Sequence, residues 1–324
     1  MKRRAAQLSN KIMASYQHKF TVFTPSYNRS HTLIRVYESL QSQTFTDFEW
    51  LIIDDGSSDG SADLIKGWKK ESTFPIRYFY QDNAGKHVAF NRGVKEAQGE
   101  LFLTADSDDA FKATALERFL FHWETIPEDE KAGFSAVTAL CEDQHGDVIG
   151  DFFPEDVFDS DTLEITYKYK AKGEKWGFHR RDVLKKYPFP ERQGQKFVPE
   201  SVVWNRIARD YKTRFVNEAL RIYYHDAGAQ LTQKSVFSRT ETREYYAFFI
   251  DADIDWFRYS PAQFIKNAIS YTRLSLLAGD SLFEQCSRLH VPGAKVLWLF
   301  SLIPGYCISR YDLWREARPG TGEQ

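Results

Sequence analysis

The stretch G-E-L-F-L-T-A-D-S-D-D (residues 99–109) sets a largely apolar run, Leu101–Ala105, directly against Asp106-Ser107-Asp108-Asp109. Such a run predicts a buried strand whose carboxyl end carries polar chemistry. The same pattern occurs three times upstream. Phe20–Thr24 leads into Pro25-Ser26-Tyr27-Asn28-Arg29, Glu49–Ile53 into Asp54-Asp55, and Ile76–Tyr80 into Gln81-Asp82-Asn83. Helical patterns lie between: His31–Gln41 with Ser30 as its cap, Ser61–Lys70 after the turn Gly56-Ser57-Ser58-Asp59-Gly60, and Lys86–Ala97. Strands alternating with helices predict an α/β fold with a mostly parallel sheet flanked by helices. In such sheets ligands bind beyond the carboxyl ends of the strands, at a topological switch point. All four polar clusters fall there.

Outward from this core the pattern changes. Residues 133–178 read as mixed strands and loops, Pro199–Arg209 as a helix, and Arg214–Val216 and Leu220–Tyr224 as strands. From about Ser238 the chain becomes helical and aromatic. Val296–Ile303 is very apolar, is expected to be broken by Pro304-Gly305, and is too short to span a bilayer. Trp298, Tyr306, Tyr311 and Trp314, with Arg310 and Arg315, suit a membrane interface; a helical hairpin packed on the domain is the alternative. At the other end Lys2, Arg3, Arg4, Lys11, Lys19, Arg29 and Arg35 precede or flank a segment with no acid before Glu38. Such a basic arm suits anionic head groups, or is simply a solvated tail.

The 324 residues allow one large domain with an appendage, and a net charge of -2 gives no pull toward nucleic acid. Cys141, Cys286 and Cys307 are too few and too far apart for a disulfide or zinc framework, which suits a reducing compartment. The first 20 residues lack the apolar core of a secretory signal. No G-x-x-x-x-G-K-[ST] or G-x-G-x-x-G is present, which argues against a Walker loop and a dinucleotide dehydrogenase.

The candidate chemistry sits in the polar clusters. A hard divalent ion needs carboxylate oxygens, and Asp106 and Asp108 at one strand mouth can reach a ribose and a metal together. A capping role for Asp109 at the helix near Ala113 is the plainer reading of the same cluster. Asp54 or Asp55 can accept from a base N–H or from ribose hydroxyls, or can serve as turn acids. Tyr27 can stack on a base in a loop fixed by Pro25. Lys86, with His87 after Asn83-Ala84-Gly85, opens a helix whose N–H groups suit phosphate. Glu200, after Pro199, is either a favourable N-terminal acid or a general base. His179 and His225 read as structural or surface residues.

Four of these segments resemble one family: F-T-V-F-T-P-S-Y-N-R (20–29), Q-T-F-T-D-F-E-W-L-I-I-D-D-G-S-S-D-G (43–60), N-A-G-K-H-V-A-F-N-R-G (83–93) and G-E-L-F-L-T-A-D-S-D-D (99–109). In order and spacing they are similar to family 2 glycosyltransferases of the GT-A fold over residues 18–125. E-K-W-G-F-H-R-R-D-V-L (174–184) and F-V-P-E-S-V-V-W-N-R-I-A (197–208) resemble the acceptor half of bacterial polysaccharide-building members. The resemblance implies a Rossmann-like GT-A domain over 18–235, with a nucleotide-sugar half (18–125) and an acceptor half (126–235). A basic arm (1–17) precedes it and a helical, aromatic-rich region (236–324) follows. It further implies inverting transfer from a nucleoside-diphosphate sugar to an acceptor hydroxyl, with Mg²⁺ or Mn²⁺. Pro25, Tyr27 and Arg29 would surround the base, Asp54 or Asp55 would bind it, and Lys86 would bind the nucleotide. Asp106 would touch the ribose, Asp108 the metal, and Glu200 would be the base. Ser201 stands where many members carry Asp after that Glu, and the Q-x-x-R-W of processive synthases is missing, which argues for single addition. The expected acceptor is a lipid-linked or growing cell-surface saccharide, met in the cytoplasm or on the cytoplasmic membrane face through 1–19 and 291–316. A sugar-nucleotide nucleotidyltransferase and a non-catalytic nucleotide-sugar-binding scaffold are the competing readings.

Overall fold

The computed structural model describes residues 16–192, 194–224 and 237–316. Most of the basic arm and His225 lie outside them. The chain divides into two compact units, one within Met1–Thr166 and Ala171–Ala227, the other within Tyr167–Lys170 and Gly228–Gln324.

The first unit is built on one mixed sheet of nine strands among the described residues, ordered β3-β2-β1-β4-β8-β6-β9-β5, with β7 also on β9. The strands are β1 (His18–Ser26), β2 (Phe48–Asp54), β3 (Ile76–Tyr80), β4 (Gly99–Thr104), β5 (Ala110–Phe111), β6 (Phe134–Asp143), β7 (Val157–Ser160), β8 (Lys175–Arg180) and β9 (Lys212–Tyr223). The β3-β2-β1-β4 side is parallel, and β8 enters antiparallel beside β4. Helices α1 (Ile34–Gln41), α2 (Ser61–Glu71), α3 (Lys86–Glu96), α4 (Ala115–Glu124) and α5 (Ser201–Ile207) connect or cover them. This is a mixed α/β sheet flanked by helices, as expected, with further helices toward the C-terminus.

The central strands are apolar on both faces because helices cover both, and all seven residues of β2 are buried. The aromatic richness serves this core. Tyr37 of α1 stacks on Trp68 of α2 at 4.6 Å, and Phe23 of β1 on Phe102 of β4 at 5.0 Å. Glu49 is the exception, a fully buried acid in β2. It accepts from Thr21 Oγ1 at 2.6 Å and from Arg77 Nη1 at 3.2 Å, so its charge is paired.

Several boundaries differ from the sequence expectation. Ser30 caps nothing: its N–H donates to Asp59 Oδ2 at 2.8 Å, and residues 30–33 form a turn on the Arg29 carbonyl before α1 begins. The two short strands expected within 214–224 are one strand, β9, because bulges in its pairing with β6 absorb the polar Asn217-Glu218.

The second unit holds α6 (Arg243–Ala252), α7 (Pro261–Leu277), α8 (Leu282–Ser287) and α9 (Pro292–Glu316). Buried Asp253 accepts from Tyr167 Oη at 3.0 Å. Ser281 and Glu284 form a capping box at α8. The expected break at Pro304-Gly305 is absent, and α9 runs through it. Proline removes one backbone donor and crowds the preceding turn. Close packing offsets this: a Cβ on Gly305 would sit 2.7 Å from Thr272 of α7, so glycine is what allows the two helices to meet. Trp298 is buried, with Nε1 donating to Gln285 Oε1 at 3.1 Å, and so is not part of an exposed aromatic belt. No helix among the described residues is long and apolar enough to cross a membrane.

His179 of β8 stacks on Trp204 of α5 at 4.3 Å, and its Nδ1 is buried with no hydrogen-bond partner among the described residues. Burial pushes this imidazole down to about 4. The unfolded chain therefore binds a proton near pH 6.5 that the fold refuses until about pH 4, and stability falls as pH drops through that window. In urea titrations at about pH 7 and about pH 4.5, His179→Phe is expected to lose less stability than the parent. Equal losses would show that the ring titrates normally in the fold.

Candidate active site

The carboxyl ends of β1, β2 and β4 lie side by side, with Ser26 opposite Asp54 and Phe23 opposite Thr104. The loops that follow are tied together by their own side chains. Asn28 adopts φ 52°, a left-handed conformation that asparagine tolerates. Its backbone N–H donates to Ser57 Oγ, and its Oδ1 accepts from the Ser58 N–H. Asp59 ties the same two loops through donors on Ser30 and Ser61. Those donors outweigh burial and hold its carboxyl down at about 2. This leaves Tyr27 half exposed at the rim, where a flat ring can stack.

Asp54 and Asp55 are both buried and both engaged by the protein. Asp54 accepts from the Ser57 N–H at 2.7 Å and from Tyr78 Oη at 2.8 Å. Asp55 accepts from Gln81 Nε2 and from the backbone N–H groups of Ala84 and Gly85, each within 2.9 Å. Asp55 thus fixes the turn that starts α3. Gly85 sits in that turn at φ 104°, and a Cβ there would lie 2.5 Å from the Lys196 carbonyl oxygen. The segment leading to Glu200 therefore passes directly over the start of α3.

Lys86, the first residue of α3, reaches both halves of the site. Its Nζ lies 2.7 Å from Asp106 Oδ1 and 3.0 Å from Glu200 Oε1. Burial alone would lower its pKa, but the two carboxylates outweigh burial and raise it. Asp106 is held below the usual carboxylate range. Burial opposes this, but Lys86 and Arg221, whose Nη2 is 3.1 Å away, prevail. Arg221 also pairs closely with Asp109, which accepts from the Tyr224 N–H at 3.2 Å. Burial pushes Asp109 up to about 6 against the pull of Arg221. The result is a chain of alternating charge: Glu200, Lys86, Asp106, Arg221, Asp109. Asp109 is therefore not the helix cap its position suggested, because a buried arginine claims its carboxylate; the residue before α4 is Thr114.

Asp108 stands apart from this chain. Its carboxylate lies 3.8 Å from Arg29 Nη2, and its carbonyl accepts from Arg35 Nη1. Asp106 and Asp108 thus face different cations, and among the described residues no three His, Cys, Asp or Glu side chains gather to hold a metal. The donor set still fits a small hard cation that takes one or two carboxylates and fills its shell with substrate phosphates. Several buried polar atoms lack partners among the described residues: Ser26 Oγ at the end of β1, both ring nitrogens of His87 beside Lys86, and Nε of Arg221. Buried polar groups are ordinarily bonded, and these atoms lie in the segments that carry the candidate site residues.

Sequence reasoning named Lys86, Asp106 and Glu200 as separate candidates, and the structure brings their side chains together. It missed Arg221. The available signal was an arginine inside the otherwise apolar strand pattern Leu220–Tyr224.

Residues 21–134 match the family model for glycosyl transferase family 2. That segment is similar to the family. Uncharacterized glycosyltransferases of Rickettsia and Nostoc are 36–40% identical to this chain over 31–36% of its length, and it spans only 14–33% of theirs. A Campylobacter jejuni protein named GalNAc(5)-diNAcBac-PP-undecaprenol beta-1,3-glucosyltransferase is 24% identical over 92% of this chain and 98% of its own. Among solved structures, S. aureus TarS 1-349 in complex with UDP-GlcNAc superposes with TM-score 0.60 and 16% identity, covering 93% of this chain and 92% of that one. Mannosyltransferase PcManGT from Pyrobaculum calidifontis, in complex with GDP-Man and Mn²⁺, gives TM-score 0.53 and 16% identity over 93% and 85%. These structures share the fold. The family match covers every strand-end candidate but excludes Glu200 and Arg221.

Arg221→Met removes the cation between the buried Asp109 and the partly exposed Asp106. Breaking such an arrangement costs roughly 3–5 kcal/mol, read as a lowered urea midpoint. Adding Asp109→Asn should recover part of the loss. A single variant as stable as the parent would show that Arg221 does not hold the pair.

Proposed function

We propose that this chain transfers a sugar, with inversion, from a nucleoside-diphosphate sugar to an acceptor hydroxyl. The observation that carries the reading is the convergence of Lys86, Asp106 and Glu200 at the carboxyl ends of the parallel strands. It joins a phosphate-binding cation, a ribose-binding carboxylate and a candidate base within one hydrogen-bonded cluster. The likeness to nucleotide-sugar-bound structures of the same fold supports it, with uridine as the base to test first.

In this reading Tyr27 stacks on the base, with Pro25 and Arg29 shaping its loop. Asp54 or Asp55 accepts from the base through the lone pairs its present partners leave. Asp106 accepts from the ribose hydroxyls. Lys86 turns toward the diphosphate. Asp108 would hold Mg²⁺ or Mn²⁺ together with donor phosphate oxygens. When bound, that ion supplies Lewis-acid stabilisation of the departing diphosphate. Glu200, whose side chain is 48% exposed, takes the acceptor proton. The acceptor oxygen bonds to the anomeric carbon as the bond from that carbon to the diphosphate oxygen breaks, and the nucleoside diphosphate leaves with the electron pair. Fixing donor and acceptor in line supplies much of the rate. The acceptor we propose is a lipid-linked or growing cell-surface saccharide at the cytoplasmic face of the membrane. The lipid-linked acceptor in the name of the Campylobacter jejuni relative supports this choice.

Nucleoside diphosphate release from uridine, guanosine and thymidine diphosphate sugars, with and without Mn²⁺, tests the reading. Glu200→Gln should bind the donor normally by calorimetry while losing roughly 10²–10⁴ in turnover. Asp108→Ala should abolish the metal-dependent part. Normal turnover in Glu200→Gln would remove the base assignment. Pyrophosphate release from a nucleoside triphosphate and a sugar phosphate would instead identify a nucleotidyltransferase.

A further inference from the structure

Helix α9 is built inside out for a helix bathed in water. Placed at about 100° per residue, its buried positions Ala294, Ser301, Gly305, Ser309 and Asp312 fall on one side, and all are small or polar apart from the buried Trp298 on that side. They meet α7 through close approach and hydrogen bonds: Gly305 lies against Thr272, Thr272 Oγ1 is 2.6 Å from Ser301 Oγ, and Arg273 pairs with Asp312. This is how helices associate where the surroundings are as apolar as their side chains. The opposite side carries Val296, Leu299, Phe300, Ile303, Tyr306 and Tyr311, each at least half exposed, with Phe300 at 78% and Ile303 at 77%. The stripe covers about sixteen residues, or roughly 24 Å of helix. Isolated exposed apolar residues are ordinary, but a contiguous stripe marks an interaction surface.

Charge decides the occupant. Lys295, Arg310 and Arg315 lie along or beside the stripe. Between them the only acid is Asp312, which faces inward and is paired with Arg273. A second copy of the stripe would press like charges together in a desolvated contact. An anionic bilayer surface satisfies both features: cations at the head groups, and aliphatic and aromatic side chains just below them. We infer that α9 lies in the plane of an anionic membrane surface, with the Phe300–Ile303 face immersed and Arg310 and Arg315 at head-group level.

This inference does not depend on the proposed reaction, and its test is binding alone. The full chain is sedimented with phosphatidylglycerol–phosphatidylcholine vesicles and with phosphatidylcholine vesicles. The expected result is co-sedimentation with the anionic vesicles that weakens with salt. Phe300→Ser with Ile303→Ser should reduce partitioning by roughly tenfold or more, and Arg310→Gln with Arg315→Gln should make the salt dependence shallower than the parent's. Both double variants should keep the parent's melting temperature and donor binding, since these residues are exposed. Failure of the folded parent to sediment with either vesicle type would overturn the inference. So would a light-scattering dimer that the Phe300/Ile303 variant converts to monomer, which would make the stripe an interface between copies.

Discussion

The ammonium of Lys86 lies between Asp106, at the end of β4, and Glu200, at the start of α5, so one charge ties the strand-end loops to the segment that follows β8. Its position is inherited. Asp55 accepts the N–H groups of Ala84 and Gly85 and so sets where α3 begins. The absence of a side chain at Gly85 lets the Lys196 backbone cross above that point. Arg221 holds Asp106 from the other side. A carboxylate between two cations stays ionised, and a lysine between two carboxylates stays charged, so each inner member of the chain is neutralised by its neighbours.

The same chain explains why a metal-binding reading of Asp106-Ser107-Asp108-Asp109 needs care. Asp106 and Asp109 are bound to Arg221, and Asp108 stands beside Arg29 instead. Three acids in four residues suggest a chelate, but the sheet turns them in different directions and spends two on internal neutralisation. Under the proposed reaction, a small hard cation at Asp108 would take most of its ligands from donor phosphates.

The parallel half of the fold was legible because its signal is local: apolar runs covered on both faces and punctuated by polar strand ends. Ile76–Tyr80 was read to the residue, and the other strands of that half to within two residues. Elements whose form depends on distant partners were not legible. Strand β9 is continuous only because β6 offers bulges, and the start of α1 is displaced because Asp59 claims Ser30. In the site, residue types announced themselves but pairings did not. Asp54 and Asp55 look like open ligands in sequence, and only the fold shows Tyr78, Ser57, Gln81 and the turn of α3 already bound to them. Buried Glu49 pairs with the partly exposed Arg77, which no spacing rule reveals.

Helix α9 shows the same limit from the opposite direction. Pro304-Gly305 is a strong local stop signal, yet the helix continues because those residues do different things on different sides. Gly305 faces Thr272 at a distance that only glycine permits, and Ser301 bonds the same threonine. The energy of the α7–α9 contact thus comes from close backbone approach and polar bonds rather than from burying the apolar residues, which are left outside. A water-exposed helix gains nothing from that division. It becomes favourable when the medium on the outer side is itself apolar, and the absence of any acid on that side makes the choice of an anionic surface the consistent one.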